Sequence, residues 1–234
     1  MHKEKGDGML LATTAGLMIE IILYSSLLLV TILLVSFTSY KNSEFNSKLL
    51  GFIAILISIV YLIDVITPVF TGNINFNKIT FTIGTVMCPL IIITRYIKPF
   101  DRIKPTVALI AVVSIFTYSL YYVRPESFNN LTAEKIFQIY VYYSLLFIYG
   151  VLSITTKDVT LEVKKCYKEL IALGVIELFS LTIRGIIAPP ARSARGVFSI
   201  LESSPMVILI SFSGILLIYL IEYLIRKIKV RLKK

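Results

Sequence analysis

Four ionisable residues stand inside apolar stretches of this sequence: Glu20, Asp64, Glu177 and Arg184. Each costs on the order of 2.5–3.5 kcal/mol at mid-bilayer on insertion scales, so each is expected to face a bundle interior or a wet cavity. Two kinds of chemistry follow. A buried carboxylate and guanidinium, such as Asp64 and Arg184, can form an ion pair that fixes helix order. Alternatively, a solvated pocket lets one of these charges meet a small polar or anionic ligand or an ion, with a carboxylate as a proton- or cation-coupling group.

Other side chains extend this constellation. The segment IRGIIAPPARSARGVFSI carries Arg192 and Arg195 beyond the Pro189-Pro190 pair, and Glu202 follows shortly after. Tyr118, Tyr121 and Tyr122 close one apolar run, while Tyr140, Tyr142 and Tyr143 open the next, beside Gln138. An aromatic belt at a membrane surface accounts for part of this set. Positions 140, 142 and 143 spread around a helix, however, so some of them must point inward. Pro68, Pro89 and Pro205 lie in or near apolar runs and can free backbone carbonyls to line a cavity. The expected ligand-binding set is therefore Glu20, Asp64, Glu177, Arg184, Arg192, Arg195, Glu202, Tyr118, Tyr122, Gln138 and Tyr142.

The same inventory excludes much catalysis. His2 is the only histidine and precedes the first apolar run. That removes sites built on a buried imidazole, including serine–histidine hydrolysis, zinc proteolysis and histidine-ligated iron. Asp64 is the only aspartate inside an apolar run and no GxGD occurs, so an aspartate dyad is not available. No aspartate cluster could hold Mg²⁺ near a pyrophosphate. Cys88 and Cys166 have no CxxC spacing, which leaves a disulfide framework or structural zinc unsupported. No enzyme activity, cofactor or metal is expected.

The elements that must position these residues are membrane spans. Hydrophobic residues make up 56% of the 234, which is far from the balance of a water-soluble domain, and mean hydropathy is +0.83. Apolar runs near the ~20 residues needed to cross a bilayer occur at about 15–39, 49–70, 79–97, 105–123, 135–155, 169–188 and 201–225. The fold class expected is all-α: a single polytopic domain over 1–234 with seven spans, ending in a basic tail at 226–234. Arg95 and Lys98 shorten the third run, and both are expected to snorkel to the interface. Sixteen lysines and arginines flank one side of this topology and seven the other, which puts the N-terminus out and the C-terminus in. The net charge of +10 then reads as topology signals and lipid contact, not as a nucleic-acid footprint.

On this topology Asp64 and Arg184 both lie ~22 Å from the inner face, and Glu20 ~7 Å below the outer one. Three helices thus place opposite charges in one outer layer. Residues 157–173 read as a continuous amphipathic helix with Leu161, Cys166, Leu170 and Leu173 along one stripe.

No family is assigned from these residues. Retinal attachment needs a lysine in the last span, and 201–225 has none. YLIDVITP and TIRGIIAP echo one another as internal repeats of a transporter would, but spans one and five lack the prolines that would complete the likeness. The function expected is a receptor-like or sensory module in the cell membrane, recognising a small polar or anionic solute in its outer half. A secondary transporter with an intramembrane coupling carboxylate, and a structural or assembly subunit of a larger complex, stand as alternatives. The partners expected are the bilayer, that solute and a cytoplasmic or membrane protein.

Overall fold

A computed structural model describes residues 4–70, 83–122, 133–162, 165–175, 212–225 and 227. All regular structure among the described residues is helical. The helices are α1 (Glu4–Ser39), α2 (Ser43–Phe70), α3 (Ile83–Tyr96), α4 (Lys104–Tyr122) and α5 (Ala133–Thr155), with a 3₁₀ segment Lys98–Ile103 leading into α4. Two further helical stretches, α6 over 166–175 and α7 over Phe212–Ile225, complete the described set.

Most of these boundaries lie close to the expected spans, but α1 and α2 begin earlier, at Glu4 and Ser43. Capping explains the second extension. The Asn42 side chain accepts the Phe45 N–H at 2.8 Å, and its carbonyl accepts the Asn46 N–H at 3.1 Å. A cap of this kind contributes about 1 kcal/mol and starts the helix before its apolar run begins. Glu44 and Lys48 then pair at 2.6 Å across one turn.

The chain divides into two compact units, Met1–Lys41 and Asn42–Lys234. The first holds α1, whose stretch Ile22–Ser39 has a mean hydropathy of 2.1. The second holds α2 onward, and its stretch Ser43–Ile63 has a mean hydropathy of 2.0. Both stretches are long and apolar enough to cross a membrane.

Within the second unit α4 is the centre. Every residue from Val107 to Ile115 is buried, which covers all faces of the helix. Helix α5 packs along it most extensively, and α3 packs on it as well. Helix α2 lies against α5 and α3, burying Leu50, Ile53, Ala54 and Ile57 at helical spacing. Its other side exposes Phe52, Ile55, Ile59, Leu62 and Ile63. Helix α7 is similar: Ile215 and Tyr219 are buried while Leu216, Leu217, Leu220 and Leu224 are exposed. Helices α6 and α7 run antiparallel, with Gly174 against Phe212 and Glu169 facing the Tyr219 hydroxyl.

The amphipathic segment after α5 differs from the expected continuous helix. Thr155 ends α5, and Lys157 takes a left-handed φ of 61° that no helix can continue through. The Val159 N–H bonds back to the Ser153 carbonyl at 3.1 Å, closing a turn, and helical structure resumes near residue 166. Leu161 and Leu173 are buried as the stripe requires, but Cys166 and Leu170 are only half-buried. Glu169, which is off that stripe, is buried because it faces Tyr219 on α7.

The α4–α5 contact depends on one residue. A Cβ on Gly150 would stand 2.5 Å from the Ala108 carbonyl oxygen and 2.9 Å from the Val112 nitrogen. Backbone cannot yield as a side-chain tip can, so only glycine permits this approach. Gly150→Ala is expected to destabilise the folded protein by about 1–3 kcal/mol, and Gly150→Leu by more. Thermal unfolding in detergent, followed by helical circular dichroism, reads this directly; an unchanged midpoint for Gly150→Leu removes the constraint.

Candidate functional site

One face of α2 is made of small or polar residues: Ser47, Gly51, Ala54, Ser58 and Tyr61. Their spacing of three or four keeps them on one side of the helix. Along this face α2 meets α3 and α5, and the polar groups gather into two clusters.

The first cluster surrounds Tyr142. Its ring lies 6.3 Å from that of Tyr61 on α2 and 5.8 Å, edge-on, from that of Tyr143. On α3, the Cys88 thiol lies 3.8 Å from the Ser58 hydroxyl, and the Cys88 backbone meets the Tyr142 hydroxyl. Pro89 follows inside α3 and has no N–H to give the preceding turn, which leaves a carbonyl there without its usual helical donor. Tyr140, Tyr142 and Tyr143 are all buried, so the inward turn expected of some of them extends to all three.

The second cluster is centred on Arg95, in the last turn of α3. Its guanidinium donates to both the carbonyl and the hydroxyl of Ser47, the latter at 3.0 Å, and lies 3.5 Å from the Asp158 carboxylate. Tyr149, two turns along α5 from Tyr142, also faces it. One side chain thus joins the start of α2, the end of α3, the inner face of α5 and the turn after α5. The left-handed residue Lys157 immediately precedes Asp158 and aims the chain back towards α3.

This corrects the expectation that Arg95 snorkels to an interface. Its side chain is 8% exposed, whereas Lys98 is exposed as expected. The reason is position: Arg95 lies on the same helical face as Cys88 and Ile91, both buried, so it faces inward. Helical spacing from Cys88 and Ile91 therefore carried a signal for Arg95. Nothing in the sequence pattern marked Asp158, whose contact depends on the turn.

Beside Arg95 opens a cleft of about 470 Å³. Ser47, Lys48, Gly51, Phe52 and Ile55 form its α2 wall; Arg95, Tyr96, Lys104 and Asp158 complete it. The lining carries three cations and one carboxylate. Lys48, three-quarters exposed, reaches Glu44 at 2.6 Å, and the half-buried Lys104 reaches the exposed Asp101 at 3.0 Å. An exposed pair such as Lys48–Glu44 contributes less than about 1 kcal/mol and opens readily. The cleft is suited to an anion; among the described residues no cluster of histidine, cysteine or carboxylate ligands could hold a metal.

Of the residues expected to bind ligand, Tyr142 is the one whose side chain the structure describes. Asp64 lies on α2, three residues beyond Tyr61, and its side chain is outside the described set. Glu20 lies on α1, Tyr118 and Tyr122 on α4, and Gln138 on α5, but their side chains are outside the described set. Glu177, Arg184, Arg192, Arg195 and Glu202 lie outside the described residues altogether.

Arg95 is expected to matter through geometry as well as charge. Arg95→Ala strands Asp158 and removes the tie to Ser47, costing about 1.5–3 kcal/mol of stability. Arg95→Lys restores little, since a point-charge ammonium cannot span Ser47 and Asp158 together. Thermal midpoints of Arg95→Ala, Arg95→Lys and Asp158→Asn measure this, and a fully stable lysine variant contradicts it.

No protein-family model, curated protein or solved structure matches this chain.

Proposed function

We propose that this chain is a non-enzymatic, multi-pass helical protein of the cell membrane, with its N-terminus outside, its C-terminus inside and seven spans. It acts as a receptor-like or sensory module that recognises a small polar or anionic solute in its outer half. The observation that carries this reading is the tyrosine cluster on the α2 polar face. Tyr61, Tyr142 and Tyr143 converge one turn before Asp64, within a unit whose α2 and α7 expose apolar faces that suit lipid and not water. Asp64 or Glu177 supplies the carboxylate there and Arg184 a cation, while Arg192, Arg195 and Glu202 form an outer rim.

Transport is the second reading, and one observation favours it. The small and polar face of α2 runs from the Asp64 end to Arg95 at the opposite end, giving polar groups along most of the helix. Asp64 then serves as the coupling carboxylate.

Both readings are tested with purified protein. A panel of amino acids, dicarboxylates and sugars is expected to contain a solute that raises the thermal midpoint, with the rise lost in Asp64→Asn and in Arg192→Ala combined with Arg195→Ala. Uptake of that solute into proteoliposomes, driven by a proton or sodium gradient and abolished by Asp64→Asn, selects transport. Loss of stability without any solute response in either variant reduces the charges to helix–helix pairing, as in an assembly subunit, and ends the solute reading.

Orientation has its own test. Burial, together with the neighbouring Glu169 carboxylate, raises the Cys166 thiol above the ordinary cysteine range. The thiolate is the reacting form, so maleimide labelling of Cys166 is slow near neutral pH and accelerates as pH rises towards that raised value. An impermeant maleimide is expected to label Cys166 only after the inner face is exposed, and Glu169→Gln to speed labelling at neutral pH. Labelling of intact cells at the wild-type rate inverts the topology.

A further inference from the structure

We propose that the Arg95 cleft is a binding site for the phosphate headgroup of an anionic phospholipid, distinct from the solute site and on the opposite end of the same helices. The inference rests on the membrane reading but not on the solute.

Three features carry it. The cleft brings Arg95, Lys48 and Lys104 around one opening with Asp158 as the only lining carboxylate; Glu44 and Asp101, the partners of the two lysines, lie outside the lining, so a phosphate that draws the lysines from them meets an excess of positive charge. Arg95 is already fixed by Ser47 and Asp158 and need not be ordered on binding. Lys48, by contrast, is three-quarters exposed on a flexible stem and can leave Glu44 for a better anion. The hydroxyls of Ser47 and Tyr96 add neutral donors at the same opening.

The third feature separates a lipid from a free phosphate. Phe52 and Ile55 line the cleft and are exposed, and the same face of α2 continues through Ile59 and Leu62. Residues 52, 55, 59 and 62 form one stripe, on the order of 15 Å long at the helical rise. That is the length over which an acyl chain would lie, starting directly below the cationic opening. A soluble phosphate has no use for this stripe. On the proposed topology, the segments around Lys48, Lys98–Lys104 and Asp158 all face the cytoplasm, where anionic lipid is enriched.

The test uses the full chain in nanodiscs of phosphatidylcholine, with or without a fifth of phosphatidylglycerol, unfolding being followed by circular dichroism. Phosphatidylglycerol is expected to raise the wild-type midpoint, on the order of 5 °C for a saturated site. Lys48→Gln with Lys104→Gln is expected to lose that rise while unfolding like wild type in pure phosphatidylcholine. Should the double variant fold poorly, Lys48→Gln alone is read, because its exposed position leaves the fold intact; it is expected to lose about half of the rise. Native mass spectrometry of protein released from the mixed nanodiscs is expected to show one retained phosphatidylglycerol on wild type and none on the variant. An equal rise in both proteins assigns the effect to general surface charge, including the basic tail, and overturns the site. A rise reproduced in phosphatidylcholine by inorganic phosphate overturns the lipid assignment, as does no rise at all. Recovery of the chain from the soluble fraction instead fails the membrane reading, which is a different result from an integral protein indifferent to phosphatidylglycerol.

Discussion

The close approach of α5 to α4 at Gly150 is the constraint on which the described bundle depends. Helix α4 is buried on every face between Val107 and Ile115, so its neighbours are positioned by how near they can come to it. At Gly150 the Ala108 carbonyl oxygen and the Val112 nitrogen limit the approach together with the Val112 side chain, and the backbone atoms cannot turn aside. Tyr149 is the preceding residue and projects about 100° away around α5. Fixing Gly150 against α4 therefore also fixes the face that presents Tyr142 and Tyr149 to α2 and α3. The polar clusters on that face inherit their geometry from an apolar contact.

Such an arrangement suits helices that, like α2 and α7, expose apolar faces. Where lipid surrounds the helices, apolar burial gives little drive for association, and close backbone packing with a few polar ties must supply it. The Ala108, Ala111, Ser114, Ser144 and Gly150 positions are small and buried. Arg95 provides the principal polar tie. It converts what would be an uncompensated charge at the end of α3 into bonds with Ser47 and Asp158, holding three helices at their common end. The cost of burying a guanidinium is offset because three separate groups meet its donors.

The polar face of α2 gives the fold its direction. It begins at Ser47, where a cationic cleft opens, and runs past Ser58 and Cys88 to the tyrosines below Asp64. Pro89, next to Cys88, lies inside α3 and removes one backbone donor from that helix. One end is rich in positive charge and the other in tyrosines. A helix pair with different chemistry at its two ends can serve two ligands, and the two proposals assign one to each.

Composition and periodicity by themselves determined that the described residues are helical, roughly where their helices lie, and that some of Tyr140, Tyr142 and Tyr143 must turn inward. These follow from local rules: apolar runs of sufficient length, helical spacing, and punctuation by proline and asparagine. Other features were decided only by tertiary structure. Arg95 looked like an interface residue because a basic side chain at the end of an apolar run ordinarily reaches for water, and only the packing of α2 and α5 showed partners waiting inside. Asp158 entered the site through the left-handed turn at Lys157, which broke a helix that periodicity alone had carried through. Glu169 is buried because α7 lies against α6, a contact between segments far apart in the chain. Sequence reports what each residue prefers; which preference prevails depends on neighbours that the fold alone brings within reach.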